Sequence, residues 1–255
     1  MTRLPPSHPV HVVVLAAGRG SRLGELGDAT PKWLLRVGER TLADRHLEGA
    51  ARAGGAVASV SVVTGHAAAA IEAELASLPQ RVGSVPNPEF AELNNWWSLL
   101  RALRELPPGG PVAVVNADLL ASPEQVAAFL VEAATGPADG LLAVDLDGQL
   151  TEESMKVERG ADGTLTRIGK AGVDEPVGEY VGLLMARGPV LAALRAALEA
   201  FVDRPECADE WYEGAVGGTA AGGHPWHIWA MPPGGWVEID DDADLHAART
   251  LVAAR

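Results

Sequence analysis

Apolar β-branched runs alternate with helix-period patterns through the first half of the chain. Residues 10–15 form a short apolar run closed by a Gly-rich turn, the pattern of a strand buried on both faces of a parallel sheet. Helix is then expected over 41–53, strand over 57–63, helix over 67–78, a short strand over 81–85, helix over 94–106 and another buried strand over 112–116. Ser122-Pro123-Glu124-Gln125 opens a further helix, with capping-box spacing and proline in its first turn. This alternation predicts right-handed crossovers and an α/β fold with a doubly wound, mostly parallel sheet.

The order loosens after Leu150. Shorter strands are expected at 155–158, 165–170, 180–185, 227–231 and 237–239, with helices at 189–203, 210–220 and 242–254, the last of which Asp242 can cap. No internal repeat or low-complexity linker interrupts the chain, so residues 1–255 are read as one domain with a flexible tail at 1–9. The irregular second half is expected to complete the sheet and cover one face.

Composition narrows the partners. With 255 residues, 47% of them apolar, the chain can bury a substantial core without staples. Cys207 is the single cysteine, which excludes an internal disulfide framework and a cysteine-based zinc cluster. The first nine residues carry three prolines and one arginine and do not read as a secretory signal. No stretch approaches the roughly 20 apolar residues of a membrane span, so a cytoplasmic address without a membrane partner is expected. The formal charge is −14, from 34 acidic against 20 basic side chains, and no dense Lys/Arg run appears. Nucleic acid is therefore not expected as a partner, and an anionic ligand must be held by a few local cations and a metal.

Those cations stand beside the first turn. Leu15-Ala16-Ala17-Gly18-Arg19-Gly20-Ser21-Arg22-Leu23 leaves strand one and is followed by Pro31-Lys32. Small residues at a strand's carboxyl end let backbone N–H groups approach a base and phosphates, and open sheets bind ligands at that edge. Arg22 and Lys32 supply the positive charge that a triphosphate requires. A Rossmann dinucleotide site would want a third Gly or Ala where Leu23 stands and an acid closing strand two, which instead ends in Thr64-Gly65-His66. Two acids are candidates for a shared Mg2+, a hard ion that favours oxygen ligands and phosphates: Asp118, just past strand 112–116, and Asp240, after Trp236-Val237-Glu238-Ile239. Asp241, Asp242 and Asp244 remain nearby alternatives for the latter.

Taken together, these segments resemble the sugar-1-phosphate nucleotidyltransferase superfamily, whose signature is L-A-A-G-x-G-[ST]-R-[LFM] followed by P-K. Asn116-Ala117-Asp118 is similar to its D-[GA]-D strand end, with Asn replacing the first acid, and Glu238-Ile239-Asp240 with Asp244-Leu245 is similar to its E-I-D-x-x-x-D-[LY] segment. The resemblance implies a Rossmann-like fold of the nucleotide-diphospho-sugar transferase type, with a nucleotide-binding half over about 10–135 and an acceptor-binding half over about 140–255. It implies Arg22, Lys32, Asp118 and Asp240 as catalytic residues, with Asp118 and Asp240 as metal ligands. Leu15, Ala16, Ala17, Gly18, Gly20, Ser21, Arg22, Lys32 and Asp118 would surround the nucleotide.

Asn87-Pro88-Glu89-Phe90 followed by Asn94-Asn95-Trp96-Trp97-Ser98-Leu99 resembles the N-x-x-[YF]-x-x-x-N-N-x-x-S-L stretch of bacterial choline-phosphate cytidylyltransferases and their phosphonate-using relatives. That branch implies CTP as the favoured NTP, Asn94 as a base or ribose contact, and pyrophosphate as the leaving group. Trp96 and Trp97 read as core. Lys156 is implied to hold the acceptor phosphate, with Ile168-Gly169-Lys170 as a hairpin partner, and Glu179 is a further acceptor contact. Trp211, Tyr212 and Glu213 are implied to meet an acceptor amine through cation–π attraction and charge pairing; a helix face buried on the sheet explains the aromatics equally well. A sugar-1-phosphate enzyme and a non-catalytic nucleotide-sensing module remain alternatives, and a homo-oligomer is left open.

Overall fold

The computed structural model describes residues 8–107 and 109–254; residues 1–7 of the expected N-terminal tail lie outside it. Strand β1 (Val10–Leu15) is followed by helix α1 (Gly24–Ala29), a hairpin of β2 (Arg36–Val37) and β3 (Arg40–Thr41), α2 (Leu42–Ala53), β4 (Val57–Thr64), α3 (Ala68–Ser77), β5 (Gly83–Pro86) and α4 (Asn95–Glu105). Then come β6 (Val112–Asn116), β7 (Leu119–Leu120), α5 (Pro123–Thr135), β8 (Gly140–Asp145), β9 (Lys156–Arg159), β10 (Leu165–Gly169) and β11 (Gly178–Ala186). Helices α6 (Gly188–Val202) and α7 (Tyr212–Ala221), strands β12 (Trp226–Ala230) and β13 (Val237–Glu238), and helix α8 (Asp242–Ala253) complete the chain.

Among the described residues, nine strands form the main sheet. Its order is β10-β9-β11-β6-β1-β4-β5, with β8 on β11 and β12 on β8. The β6-β1-β4-β5 stretch is parallel throughout, so Leu15, Thr64 and Asn116 end on the same edge. This is the expected α/β architecture. Alternation along β1 divides its side chains between two cores: Val10, Val12 and Val14 pack with α2, α5 and α8 residues such as Leu47, Phe129 and Leu245. Val13 packs on the other face with Trp96, Leu198 and Val216 from α4, α6 and α7.

Local signals explain the helix starts. Thr41 and Asp44 form a capping box on α2, and Ser122 and Gln125 form one on α5 behind Pro123. At α8 the cap is Asp241, whose side chain accepts from Ala243 and Asp244 N–H; Asp242 is the first helical residue and not the cap. Strand β11 runs antiparallel to β6 and carries a bulge between Tyr180 and Leu184. Gly182 sits there at φ +85°, and a Cβ on it would lie 2.9 Å from the Asn116 Cβ, so only glycine lets β11 close on the end of β6. None of the helices among the described residues is long and apolar enough to cross a membrane.

Candidate active site

The glycine loop leaves β1 at the carboxyl edge of the parallel strands. Gly20 turns it at φ +62°, and a Cβ at that position would stand 3.1 Å from Lys32 Cγ; the bare backbone lets the lysine stem lie against the loop. Trp33, next to Lys32, is fully buried, and its indole N–H donates to His46 Nδ1 at 3.2 Å. His46 is buried, which pushes its pKa down to about 4 and keeps it neutral, and Nε2–H donates to the Leu119 carbonyl at 2.7 Å. This relay fixes the residue after Lys32 to the residue after Asp118.

A second short link brings Asp240 to the same point. Strands β7 and β13 pair antiparallel, with Leu119 opposite Glu238, and Ile239 N–H donates to the Asp118 carbonyl at 3.0 Å. The Asp240 N–H is held by Asp244 Oδ2 at 2.9 Å, so the start of α8 orients this acid. Lys32 Nζ donates to Asp118 Oδ2 at 3.1 Å and to Asp240 Oδ1, and Arg22 bonds Asp240 Oδ2. Four residues from three distant segments thus form one ion-pair network beside the glycine loop.

Burial and charge pairing set the electrostatics of this network. Burial alone depresses the Lys32 ammonium, yet Asp118 and Asp240 outweigh it and hold the group above its ordinary 10.5. Burial likewise pushes Asp240 up, but Lys32, then Arg22 and Lys170, keep it below its usual range. At Glu238 the pull of Lys32 is outweighed. Although the residue retains exposed surface, burial of its carboxyl and then the charges of Asp118 and Asp240 push it up to about 8. Oxygen atoms of Asp118, Glu238 and Asp240 all lie within 4.8 Å of one another. An all-carboxylate set suits a hard divalent ion, and the lysine ammonium already drawn between two of its members shows the demand for positive charge. The residues fit Mg2+.

A cleft of about 240 Å3 opens over this point. Leu15, Ala17, Gly18 and Arg22 line it from the loop, Asn94 from the start of α4, and Trp211 and Glu213 from the start of α7. Asn94 caps α4, accepting from Asn95 N–H at 2.7 Å, while its amide donates to the Asp209 carbonyl. Ala16 is buried behind the loop and Ser21 opens the turn that carries Arg22. Tyr212 does not reach the cleft surface: it is fully buried, and its hydroxyl donates to Asn116 Oδ1 at 2.8 Å and meets the Tyr180 hydroxyl at 2.9 Å. Lys156 spends its ammonium on the backbone carbonyls of Lys170, Glu152 and Ser154. Glu179 lines an adjoining cavity of about 350 Å3 that shares Lys170, Glu238 and Asp240 with the cleft. Burial raises its pKa.

Some residues of the site carried no role in the sequence reading. Glu238 was legible in principle: it stands two positions before Asp240 in extended chain, a spacing that returns side chains to one side. Lys170 lines both cavities, pairs with Glu153 at 2.8 Å and places its ammonium 5.1 Å from the Trp211 ring centre. Only the hairpin register of β9 and β10, with Gly169 opposite Lys156, separates the role of this lysine from that of its neighbour.

The comparison with known families is decided by residues 12–220, which match the model of the MobA-like NTP transferase domain. The chain belongs to that family. It is a nucleotidyltransferase-type domain, and its fold is shared with solved structures of other proteins. CTP:phosphocholine cytidylyltransferase from Streptococcus pneumoniae superposes with a TM-score of 0.73 at 18% identity, over 96% of this chain and 99% of that one. The inositol-1-phosphate CTP transferase from T. maritima gives 0.77 at 20% identity, over 97% and 96%. In sequence, the chain is 30% identical over 254 residues to CMP-5'-(3-aminopropyl)phosphonate synthase from Streptomyces rubellomurinus, covering 96% of this chain and 39% of the relative. The chain spans about two fifths of the length of the curated relatives it matches.

Proposed function

We propose that this domain is a Mg2+-dependent cytidylyltransferase, moving CMP from CTP to a small phosphorylated or phosphonate acceptor that bears an amine, with release of pyrophosphate. The observation that carries the reading is the bonding of Lys32 to both Asp118 and Asp240 at the edge where the glycine loop leaves β1. A pure binding module needs a phosphate cradle, but it does not need a lysine and a triad of carboxylates converging on one point.

The acceptor phosphate or phosphonate is already an anion at neutral pH, so no activated serine, cysteine or histidine is required. One of its oxygens forms a bond to the α-phosphorus as the bond to the β-phosphate oxygen breaks and pyrophosphate leaves with the electron pair. Arg22 and Lys32 steady the charge that develops on the departing group. The glycine loop holds the nucleotide by backbone contacts, and Lys170, which lines both cavities while Lys156 is taken by backbone carbonyls, is the better placed lysine for the acceptor phosphate. Asp118, Glu238 and Asp240 would hold Mg2+, which supplies charge neutralisation between the two reacting anions. The remaining contribution of the chain is positioning.

A pyrophosphate-release screen tests the reading. The common ribonucleoside triphosphates and dTTP are crossed with phosphocholine, aminoalkylphosphonates, inositol-1-phosphate and hexose-1-phosphates. CTP with an amine-bearing acceptor is expected to lead. Preference for a hexose-1-phosphate with UTP, GTP or dTTP makes the domain a sugar nucleotidyltransferase, and nucleotide binding without pyrophosphate release makes it a sensing module.

A further inference from the structure

The acids that would hold the metal are engaged by cations of the chain itself. Lys32 Nζ donates to Asp118 Oδ2 at 3.1 Å and to Asp240 Oδ1, and Arg22 takes the other oxygen of Asp240. In the cluster of Asp118, Glu238 and Asp240, two of the three carboxylates are thereby paired. A divalent ion entering here must either share those oxygens with the ammonium, against the repulsion of two cations, or drive the ammonium off. Mg2+ is poorly suited to both. It gives up its hydration water reluctantly and is ordinarily held by one or two carboxylates together with substrate phosphates.

The lysine is fixed at its backbone and movable at its tip. Buried Trp33, bonded to His46 and through it to the Leu119 carbonyl, holds the main chain beside Lys32. The stem runs along the glycine loop, where a Cβ on Gly20 would stand 3.1, 3.3 and 3.6 Å from its Cγ, Cε and Cδ. Rotation about the outer bonds of this stem moves the ammonium between staggered positions while the backbone stays in place. The Arg22 side chain is 56% exposed and can turn with it.

We propose that Lys32 closes the metal site until a nucleoside triphosphate draws its ammonium away, so that Mg2+ and the triphosphate bind as a pair. The proposal rests on the nucleotidyltransferase reading above and deepens it. The triphosphate offers Lys32 and Arg22 several negative charges beside the loop, and Asp118 and Asp240 are released for the ion at the moment it is needed. By linkage the effect is reciprocal, so the metal also tightens the hold on the triphosphate. A nucleoside that lacks the phosphates leaves the lysine where it is.

The test uses Mn2+, an ion that shares the octahedral oxygen preference of Mg2+, and counts the free ion by electron paramagnetic resonance, with Mg2+ as competitor. Wild-type protein is titrated alone, with cytidine and with CTP, the affinity of CTP itself for Mn2+ being measured separately. Binding is expected to be at least about tenfold tighter with CTP than alone or with cytidine. Lys32→Met without nucleotide is expected to bind Mn2+ at least about tenfold tighter than the wild type without nucleotide, and adding Asp240→Asn should remove that gain. Wild-type protein that binds the ion alone as tightly as it does with CTP, or as tightly as Lys32→Met does, overturns the inference and leaves the metal site intact. A gain in Lys32→Met that survives Asp240→Asn places the ion elsewhere and also overturns it. Failure of both Lys32→Met and the wild type with CTP to bind Mn2+ overturns the metal assignment in the parent reading, and this inference falls with it. If Lys32→Met does not fold, the three wild-type titrations still decide, because equal affinity across them refutes the closure.

Discussion

Lys32→Met removes the ammonium from between Asp118 and Asp240 while keeping most of the volume of its stem. The side chains of Lys32, Asp118 and Asp240 are 14%, 21% and 20% exposed, so solvent screens these pairs only in part. At an effective dielectric near 20, each pair is worth about 4 kcal/mol before desolvation is subtracted. Part of that is already offset, since burial depresses Lys32. In the variant, Asp118, Glu238 and Asp240 face one another with Arg22 and the more distant charge of Lys170 against them. The expected net loss is about 2–4 kcal/mol, or roughly 5–12 °C in Tm for a chain of this size. The loss must depend on pH. Asp240 titrates below its ordinary 3.8 and Lys32 above its ordinary 10.5, so the pair's stabilisation is present between these values. It fades as pH falls through the folded value of the acid or rises through that of the lysine. Turnover should fall on the order of a hundredfold or more, which corresponds to about 2.7 kcal/mol or more of lost transition-state stabilisation. Thermal melts from pH 3 to 9 and pyrophosphate release at saturating nucleotide read both effects. Turnover within threefold of the wild type, or a stability gap as wide at pH 3 as at pH 7, would show that Lys32 does not act through its pairing with the two aspartates.

Asp118→Asn and Asp240→Asn should each remove Mg2+-supported pyrophosphate release, and Mg2+ should no longer raise Tm in the presence of nucleotide; saturation with Mg2+ at the wild-type concentration would argue against a ligand role. Gly20→Val places a branched side chain at φ +62° and against the Lys32 stem. A loss of about 1–3 kcal/mol and at least tenfold in turnover is expected, and an unchanged melt and rate would dissociate the loop from Lys32. His46 titrates near 6.5 when unfolded and about 4 when folded, so stability is present above pH 6.5 and is lost as pH falls toward 4, by on the order of 3 kcal/mol. In His46→Leu that acid-side slope should be missing from melts between pH 7 and 4, and its persistence would move the cause elsewhere.

The parallel half of the sheet was legible because its strands are apolar runs and its helices carry local caps. β1 and β6 end where their sequences do, and Thr41 and Ser122 announce α2 and α5. Strand β8 was not recognised. It is buried on both sides and differs from a short helix segment only through its pairing with β11 and β12. Nor could the β7 to β13 pairing be seen: two residues on each side carry no period, and their contact is made by the folded chain. The loop, Lys32 and Asp118 were readable as residue types suited to a triphosphate, whereas Asp240 was set apart from Asp241, Asp242 and Asp244 only by the family resemblance. The Trp33, His46 and Leu119 relay was hidden, because a histidine in an amphipathic helix looks like any core position until its partners are known. The same holds for Tyr212, whose hydroxyl is taken by Asn116 while its neighbours Trp211 and Glu213 face the cleft.

In the proposed reaction the glycine loop, Lys32 and the carboxylates together perform nucleotidyl transfer. Incubation with α-labelled CTP, an aminoalkylphosphonate and Mg2+ measures it directly, by counting label joined to the acceptor against pyrophosphate released. Equal amounts of the two from the wild-type protein, with neither from Asp240→Asn, are predicted. Pyrophosphate without labelled acceptor, or full product from Asp240→Asn, contradicts the account.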